Sequence, residues 1–274
     1  MKTRKIGAPA IDTRPAAGYF RSGLPYNRLG RGPRPLVIVQ GLTFENKPQP
    51  GLATWMVRFL GADYTVFSVM RKPGLPQGYT LADMAGDYAD MIREEFGGPV
   101  DVIGVSTGGS IVQHFAADHP GLVRRLVIHS SAHRLSDAAK AMQLEVARLA
   151  GQRKWREAWA VLLRFMLGQG PLGHLQAGLA STLLSLSKPA DPSDLVITVL
   201  AEDQFSFQEE LARIAAPTLV IAGDCDPFYT PALFRETAAG IPDARLILYP
   251  GMGHPASGKQ FKQDVLAFLR EGAR

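Results

Sequence analysis

Residues 100–109 have the sequence VDVIGVSTGG, in which a short apolar run ends at a serine between glycines. A run such as Val100–Val105 is typical of a strand buried on both faces of a sheet. The following residues match G-x-S-x-G, whose small residues allow a tight, strained turn that exposes the serine hydroxyl at the start of a helix. Alone, this pattern also fits an ordinary glycine-rich connection. In its context after a strand, it makes Ser106 a candidate nucleophile.

Strands alternate with helices on both sides of this segment. Apolar runs predict strands at 36–39, 64–70, 100–105, 122–130, 217–222 and 245–249, and a further strand-like piece lies at 18–24. Helical periodicity is clearest at 80–96, where Thr80 and Asp83 form a capping pair and Gly97 ends the helix. Because parallel strands need crossover connections, the alternation predicts an α/β fold with a mostly parallel central sheet flanked by helices.

The alternation stops at residues 134–205, which show helical patterns and almost no strand signal. It resumes at residue 206 and continues to the end of the chain. Since the sheet needs strands from both halves, this insert is predicted to be a helical lid rather than an independent domain. The predicted division is therefore a core of residues 1–133 and 206–274, with a cap of residues 134–205 inserted after the fourth parallel strand.

A serine hydroxyl needs a base in order to act as a nucleophile. The sequence has six histidines, and His254 has the most suitable position, at the end of GMGH in a loop between the last predicted strand and the last helix. A turn histidine at a helix start is the alternative interpretation of His254. His129 and His133 flank the end of the fourth predicted strand and could line the same site. The positions of the other three, His114, His119 and His174, favour structural roles.

An acid must orient the histidine, and GDCDP at residues 223–227 supplies two candidates, Asp224 and Asp226. The order is then serine, acid and histidine, each after a parallel strand, at the sheet edge where active sites of open α/β folds lie. The two aspartates also resemble the Asp-x-Asp pattern of phosphatases. Their neighbours Gly223 and Pro227 fit that pattern poorly, and it would leave Ser106 unexplained.

Three segments resemble the α/β-hydrolase superfamily: GVSTGG at 104–109, TLVIAGDCDP at 218–227 and GMGH at 251–254. The resemblance extends from about residue 18 to the C-terminus. It implies the α/β-hydrolase fold, Asp226 as the acid, and an oxyanion hole built from the backbone amides of Leu42 and Thr107. The chain departs from the family at Gln40, since the usual dipeptide is His-Gly and this chain has Gln40 before Gly41. Gln40 is expected to hold the loop by amide hydrogen bonds.

The composition argues against several classes of binding partner. The formal net charge is +5, but the basic residues are scattered along the 274-residue chain, so a solvated surface is expected and no nucleic acid partner. Cys225 is the only cysteine, which rules out an internal disulfide and a cysteine-based zinc site. No metal or other cofactor is predicted. No apolar run approaches the ~20 residues of a membrane span, and the N-terminus lacks a secretory pattern, so the cytoplasm is the expected location.

Together these features predict a serine hydrolase that cleaves a small or medium apolar carboxylic ester through an acyl-enzyme. The small-molecule, ester-like substrate is expected to contact Phe44, His129, Trp159 and Phe228. A lactonase, a carbon–carbon bond hydrolase, an aminopeptidase or a cofactor-free perhydrolase or haloperoxidase is compatible with the same motifs. A hydrolase-like ligand-binding receptor is the alternative without catalysis. The sequence leaves the oligomeric state open.

Overall fold

The computed structural model describes residues 14, 16–48, 57–167, 171–186 and 189–271. These residues form one eight-stranded sheet with the order β1-β2-β4-β3-β5-β6-β7-β8. β1 and β2 are antiparallel to their neighbours, and all pairs from β4 to β8 are parallel. This confirms the predicted α/β-hydrolase fold. The strands are β1 Ala17–Tyr19, β2 Pro25–Leu29, β3 Arg34–Val39, β4 Tyr64–Val69, β5 Val100–Val105, β6 Val123–His129, β7 Thr218–Gly223 and β8 Ala244–Tyr249.

Helices cover both faces of the sheet. Successive strand residues point to opposite sides, so strands that are apolar throughout present an apolar surface on each face. Val37 and Val39 belong to one apolar core, whereas Leu36 and Ile38 belong to a second core that includes Val265 of the last helix. The apolar run 36–39 is therefore buried on both faces, as its composition predicts. The helices are α1 Leu81–Phe96, α2 Thr107–Asp118, α3 Asp137–Gly151, α4 Trp155–Leu167, α5 Pro171–Leu184, α6 Ser193–Asp203, α7 Pro231–Gly240 and α8 Lys259–Arg270.

The predicted capping pair at the start of α1 is present. The Thr80 hydroxyl accepts a hydrogen bond from the Asp83 amide at 3.1 Å, and the Asp83 carboxylate accepts one from the Thr80 amide at 2.9 Å. Gly97 ends the helix with a φ of 67°, a conformation that favours glycine. Local sequence signals are therefore sufficient to define both ends of α1.

The strand-like piece at 18–24 is a hairpin rather than one strand. β1 and β2 pair across a turn in which the Gly23 amide donates to the Phe20 carbonyl at 2.9 Å. Gly23 has a φ of 88°, which reverses the chain there. The aromatic and apolar residues in this piece resemble a strand because Phe20 and Leu24 are both buried beside the turn.

Four helices, α3 to α6, lie between β6 and β7 and contain the residues predicted to form the lid. Helix α6 is tied to the loop after β4, because Asp194 accepts hydrogen bonds from the amides of Gly74 at 3.1 Å and Leu75 at 2.8 Å. Within the described ranges, no helix is both long and apolar enough to cross a membrane.

Candidate active site

The turn between β5 and α2 holds Ser106 in a strained conformation, with φ 53° and ψ −126°. The two flanking glycines are required by close backbone approach. A Cβ at Gly104 would lie 2.6 Å from the Gly108 carbonyl oxygen, and a Cβ at Gly108 would overlap the Val39 carbonyl oxygen. These contacts give the physical reason for the glycines in G-x-S-x-G and set the serine at the carboxyl edge of the sheet.

Three residues from distant parts of the chain meet at this edge. His254 Nε2 lies 3.0 Å from Ser106 Oγ, and His254 Nδ1 lies 2.7 Å from an oxygen of Asp226. The Asp226 side chain is fully buried and that of His254 is 5% exposed. The structure therefore brings together all three residues of the predicted serine, histidine and acid set, at hydrogen-bond distances.

The two aspartates after β7 differ in their partners. The second oxygen of Asp226 accepts hydrogen bonds from the amides of Phe228 at 2.8 Å and Tyr229 at 3.3 Å, which hold the carboxylate toward His254. Asp224 is exposed and accepts from the Gly251 amide at 2.7 Å. Of the two aspartates, Asp226 is the one that contacts His254. Asp224 instead holds the loop that carries His254, through its hydrogen bond with Gly251.

The loop after β3 lies directly against the nucleophile, since a Cβ at Gly41 would be 3.2 Å from Ser106 Cβ. Gln40, which replaces the usual histidine, donates from Nε2 to the Ser68 hydroxyl at 2.8 Å. Gln40 was predicted to hold this loop by amide hydrogen bonds, and Ser68 is the partner of one such bond. Leu42, the next residue but one, lines the cavity beside Ser106.

Arg71 is an exception to the expectation that the scattered basic residues form a solvated surface, since it is 1% exposed. Its guanidinium donates to the Gly41 carbonyl at 2.9 Å and to the Thr43 hydroxyl at 2.8 Å, so it holds the loop from behind. Burial lowers the pKa of Arg71, but a guanidinium stays protonated in proteins. Arg71 lies two residues after the end of β4, at the same edge of the sheet, and this position was the sequence signal for a role near the site.

A second buried ionisable side chain, Glu202, lies behind the turn that carries Ser106. The carboxylate of Glu202 on α6 accepts hydrogen bonds from the hydroxyls of Thr107 at 2.8 Å and Ser110 at 3.0 Å. Burial raises the pKa of Glu202, while the charge of Arg71 opposes that shift. Glu202 shares a helix face with Leu195 and Val199, at i+7 and i+3, which was the sequence signal for its burial.

The backbone amide of Thr107 has no acceptor within its helix, so it is available for the predicted oxyanion hole. Thr107 is the first residue of α2, and the first N–H groups of a helix have no acceptor within it. The Thr107 hydroxyl donates to Glu202, and this contact does not involve the backbone amide.

Ser106 lies on the wall of a cavity of about 710 Å³. Leu42, His129 and Phe228 line it, and the Phe228 ring lies 4.3 Å from the His254 ring. Phe44 and Trp159 are not among the described residues that line the cavity. They stack on each other with ring centroids 3.7 Å apart, which keeps both rings in the packing between the loop and α4. Most of the other described lining residues are apolar, among them Ile38, Phe59, Ile103, Val105, Leu162, Met166, Phe261 and Val265.

His129 lies beneath the site as a neutral side chain. It is 6% exposed, and its Nε2 lies 2.8 Å from the Ala256 carbonyl oxygen, on the loop that follows His254. Burial lowers the pKa of His129 to about 4. Because its ring nitrogen contacts that carbonyl, His129 supports the loop that carries His254.

The sequence pattern that defines the alpha/beta hydrolase family matches residues 50–261, more than three quarters of the chain. The chain belongs to the alpha/beta hydrolase family. Within the part of this hydrolase that the structure describes, no group of three or more His, Cys, Asp or Glu side chains is placed to hold a metal ion.

Three curated relatives of this hydrolase differ in what their names describe. It is 29% identical over 262 residues to the polyketide synthase ThaQ of Burkholderia thailandensis, covering 90% of this chain and only 12% of the synthase. It is 24% identical to a 2-hydroxy-6-oxononadienedioate/2-hydroxy-6-oxononatrienedioate hydrolase of a Pseudomonas species, covering 92% of this chain and 93% of that protein. It is 26% identical to a pimeloyl-[acyl-carrier protein] methyl ester esterase of Chromobacterium violaceum, covering 68% and 75%.

Proposed function

We propose that this alpha/beta hydrolase cleaves a small or medium apolar carboxylic ester through an acyl-enzyme on Ser106. The observation that carries the proposal is the continuous hydrogen-bond path from Ser106 through His254 to Asp226, opening into a largely apolar cavity. A serine, a base and an orienting acid in this geometry are suited to acyl transfer.

In the proposed reaction, Ser106 Oγ attacks the carbonyl carbon while His254 Nε2 takes the hydroxyl proton. The negative oxygen of the tetrahedral intermediate rests on the amides of Leu42 and Thr107, each contributing on the order of 3–4 kcal/mol. His254 then protonates the leaving alcohol as the carbon–oxygen bond breaks. A water molecule, deprotonated by His254, then attacks the acyl carbon. The bond between that carbon and Ser106 Oγ breaks, His254 returns the proton to Ser106 Oγ, and the acid is released.

The proposed substrate class follows from the cavity walls. Leu42, Phe228, Leu162 and Met166 present hydrocarbon and ring surface, which favours apolar acyl or alcohol groups. We also propose that α3 to α6 act as a cap, residues 134–205, over a core of residues 1–133 and 206–274. The curated relative named as a methyl ester esterase supports the ester assignment. The cytoplasm is the proposed location, since a single cysteine suits a reducing compartment.

A second candidate has support from one relative. The Pseudomonas hydrolase that matches nearly the whole chain acts, by its name, on oxo-dienedioate and oxo-trienedioate compounds. Cleavage of a carbon–carbon bond beside a ketone could use the same serine and histidine. An ester assay and a vinylogous 1,5-diketone assay therefore distinguish the two candidates.

The proposed function is tested by assaying the purified protein against p-nitrophenyl esters from acetate to dodecanoate, with Ser106→Ala as the matched control. Hydrolysis by the wild type and its loss in the variant are expected. Turnover of the diketone with no turnover of any ester would instead support the second candidate. Absence of all turnover, together with tight binding of an ester, would favour the ligand-binding alternative.

A further inference from the structure

Gln143 lies at the cavity wall and has an unpaired, buried hydrogen-bond acceptor. It lies on α3, is 3% exposed, and is one of the residues that line the cavity with Ser106. Its amide oxygen, Oε1, has no hydrogen-bond partner among the described residues. A buried carbonyl oxygen left without a donor is unfavourable, which points to a partner that arrives from outside the protein.

The Gln143 amide interacts with the buried Glu202 side chain. Burial raises the pKa of Glu202, and interactions with Thr107, Gln143 and Ser110 lower it. The Glu202 carboxylate accepts hydrogen bonds from the hydroxyls of Thr107 and Ser110. A carboxylate only accepts hydrogen bonds, which favours the NH₂ end of the Gln143 amide on the Glu202 side. The oxygen end is therefore directed away from Glu202.

Two other polar side chains of the cavity, Gln40 and Thr43, already have hydrogen-bond partners. Gln40 Nε2 donates to Ser68 at 2.8 Å. The Thr43 hydroxyl donates to Asn46 Oδ1 at 3.0 Å and accepts from Arg71 at 2.8 Å. Among the cavity-lining side chains that the structure describes, Gln143 is the one with a buried polar atom left unpaired.

We propose that Gln143 is a specificity-determining residue whose amide oxygen accepts a hydrogen bond from a hydroxyl or N–H of the substrate. The substrate class is then an ester with a mostly apolar frame and one hydrogen-bond donor, rather than a plain alkyl ester. This inference rests on the proposed ester hydrolysis. A site that holds a buried acceptor discriminates against an analogue lacking the donor, by on the order of 10- to 100-fold for one neutral hydrogen bond.

The experiment compares pairs of substrates that differ only in one hydroxyl. In the acyl half, p-nitrophenyl butanoate and hexanoate are paired with their 2-hydroxy, 3-hydroxy and ω-hydroxy forms. In the alcohol half, butanoate esters of alkanols are paired with monoesters of the corresponding diols and followed by pH-stat. The readout is the ratio of kcat/KM within each pair, which a change in the folded fraction does not alter.

The key variant is Gln143→Met, which keeps the length of the side chain and removes the amide. Gln113→Met is the matched control, because Gln113 is also buried with an unpaired Oε1 but does not line the cavity. If Gln143→Met does not fold, Gln143→Ala replaces it, and the wild-type ratios remain a test without any variant.

At one or more hydroxyl positions the wild type is expected to prefer the hydroxylated ester by on the order of 10- to 100-fold. The preference should fall to within about threefold of unity in Gln143→Met and persist in Gln113→Met. Equal rates within every wild-type pair, or a preference that persists without the Gln143 amide, would overturn the inference while leaving ester hydrolysis intact. Hydrolysis of no ester by the wild type would instead be a failure of the proposed function.

Discussion

At the scale of single residues, the roles of Asp226 and Asp224 are separable. Asp226→Asn should lower kcat by roughly 10⁴-fold, because an amide in place of the carboxylate favours the wrong tautomer of His254 and cannot stabilise its cation. Asp224→Asn should change kcat only slightly, since Asp224 contacts the Gly251 amide and not the histidine. Steady-state kinetics on one p-nitrophenyl ester measure both, and the reverse ranking would contradict the assignment.

His129 should make folding stability depend on pH. Its pKa falls from the ordinary value of 6.5 to about 4 on burial, so the unfolded chain binds a proton in a range where the folded chain does not. Stability contributed by the neutral ring is fully present above pH 6.5 and is lost as the pH falls toward 4. The linkage predicts a loss of about 2–3 kcal/mol between pH 7 and 4.5.

Urea unfolding at pH 7 and pH 4.5 measures this effect, with His129→Gln as the comparison. Gln is neutral throughout and can donate to the Ala256 carbonyl that His129 contacts. The free energy of unfolding of His129→Gln should therefore fall by about 2–3 kcal/mol less than that of the wild type. Equal losses in the two proteins would show that His129 is not responsible.

The sequence predicts some of these residues better than others. Ser106 lies between Gly104 and Gly108 at the end of a strand, and His254 follows Gly251 and Gly253 in the loop after the last strand, so local patterns are enough to find them. Choosing Asp226 over Asp224 requires the family resemblance, because both follow the same strand. Arg71 and Glu202 are missed because a charged side chain is normally exposed, and their burial depends on partners that are distant in sequence.

At the scale of secondary-structure elements, α4 is expected to limit the substrate length. Met166 lines the cavity, whereas Leu163 on the same helix is not among the described lining residues. Each buried methylene is worth up to ~0.8 kcal/mol, so kcat/KM for the wild type should rise up to roughly fourfold per acyl carbon until the cavity is full. Met166→Trp should move that limit to a shorter acyl chain and leave acetate hydrolysis nearly unchanged.

The p-nitrophenyl ester series from acetate to dodecanoate measures this limit, and Leu163→Trp is the control that adds the same bulk on the same helix. An unchanged profile in Met166→Trp would contradict a pocket bounded by α4. A flat wild-type profile would contradict an enclosing cap altogether.

The elements themselves were largely predictable because each carries a local signal. Buried parallel strands appear as short apolar runs, and α1 has a capping box and a terminal glycine. The turn between β1 and β2 was missed because Phe20 and Leu24 are apolar and buried although neither lies in a strand. Likewise, Phe44 and Trp159 are aromatic residues near the site, but their mutual stacking could not be told from pocket contact by sequence alone.

At the scale of the whole molecule, the sheet order explains how the site is assembled. β5, β7 and β8 are parallel and close in the sheet, so the loops at their carboxyl ends bring together Ser106, Asp226 and His254. Between β6 and β7, α3 to α6 supply Gln143, Met166 and Glu202 to the same region. In the proposed function, the loops of the sheet supply the nucleophile and the base, and the inserted helices supply the contacts that select the substrate.

The most direct test of a serine hydrolase is covalent labelling. The intact protein is treated with a fluorophosphonate probe, and the modified peptide is identified by mass spectrometry, with Ser106→Ala as the control. Stoichiometric labelling of Ser106 is expected, together with no labelling and a loss of turnover on the order of 10⁴- to 10⁶-fold in a folded Ser106→Ala variant. Labelling at another residue, or ester hydrolysis that persists in Ser106→Ala, would contradict the assignment of Ser106 as the nucleophile.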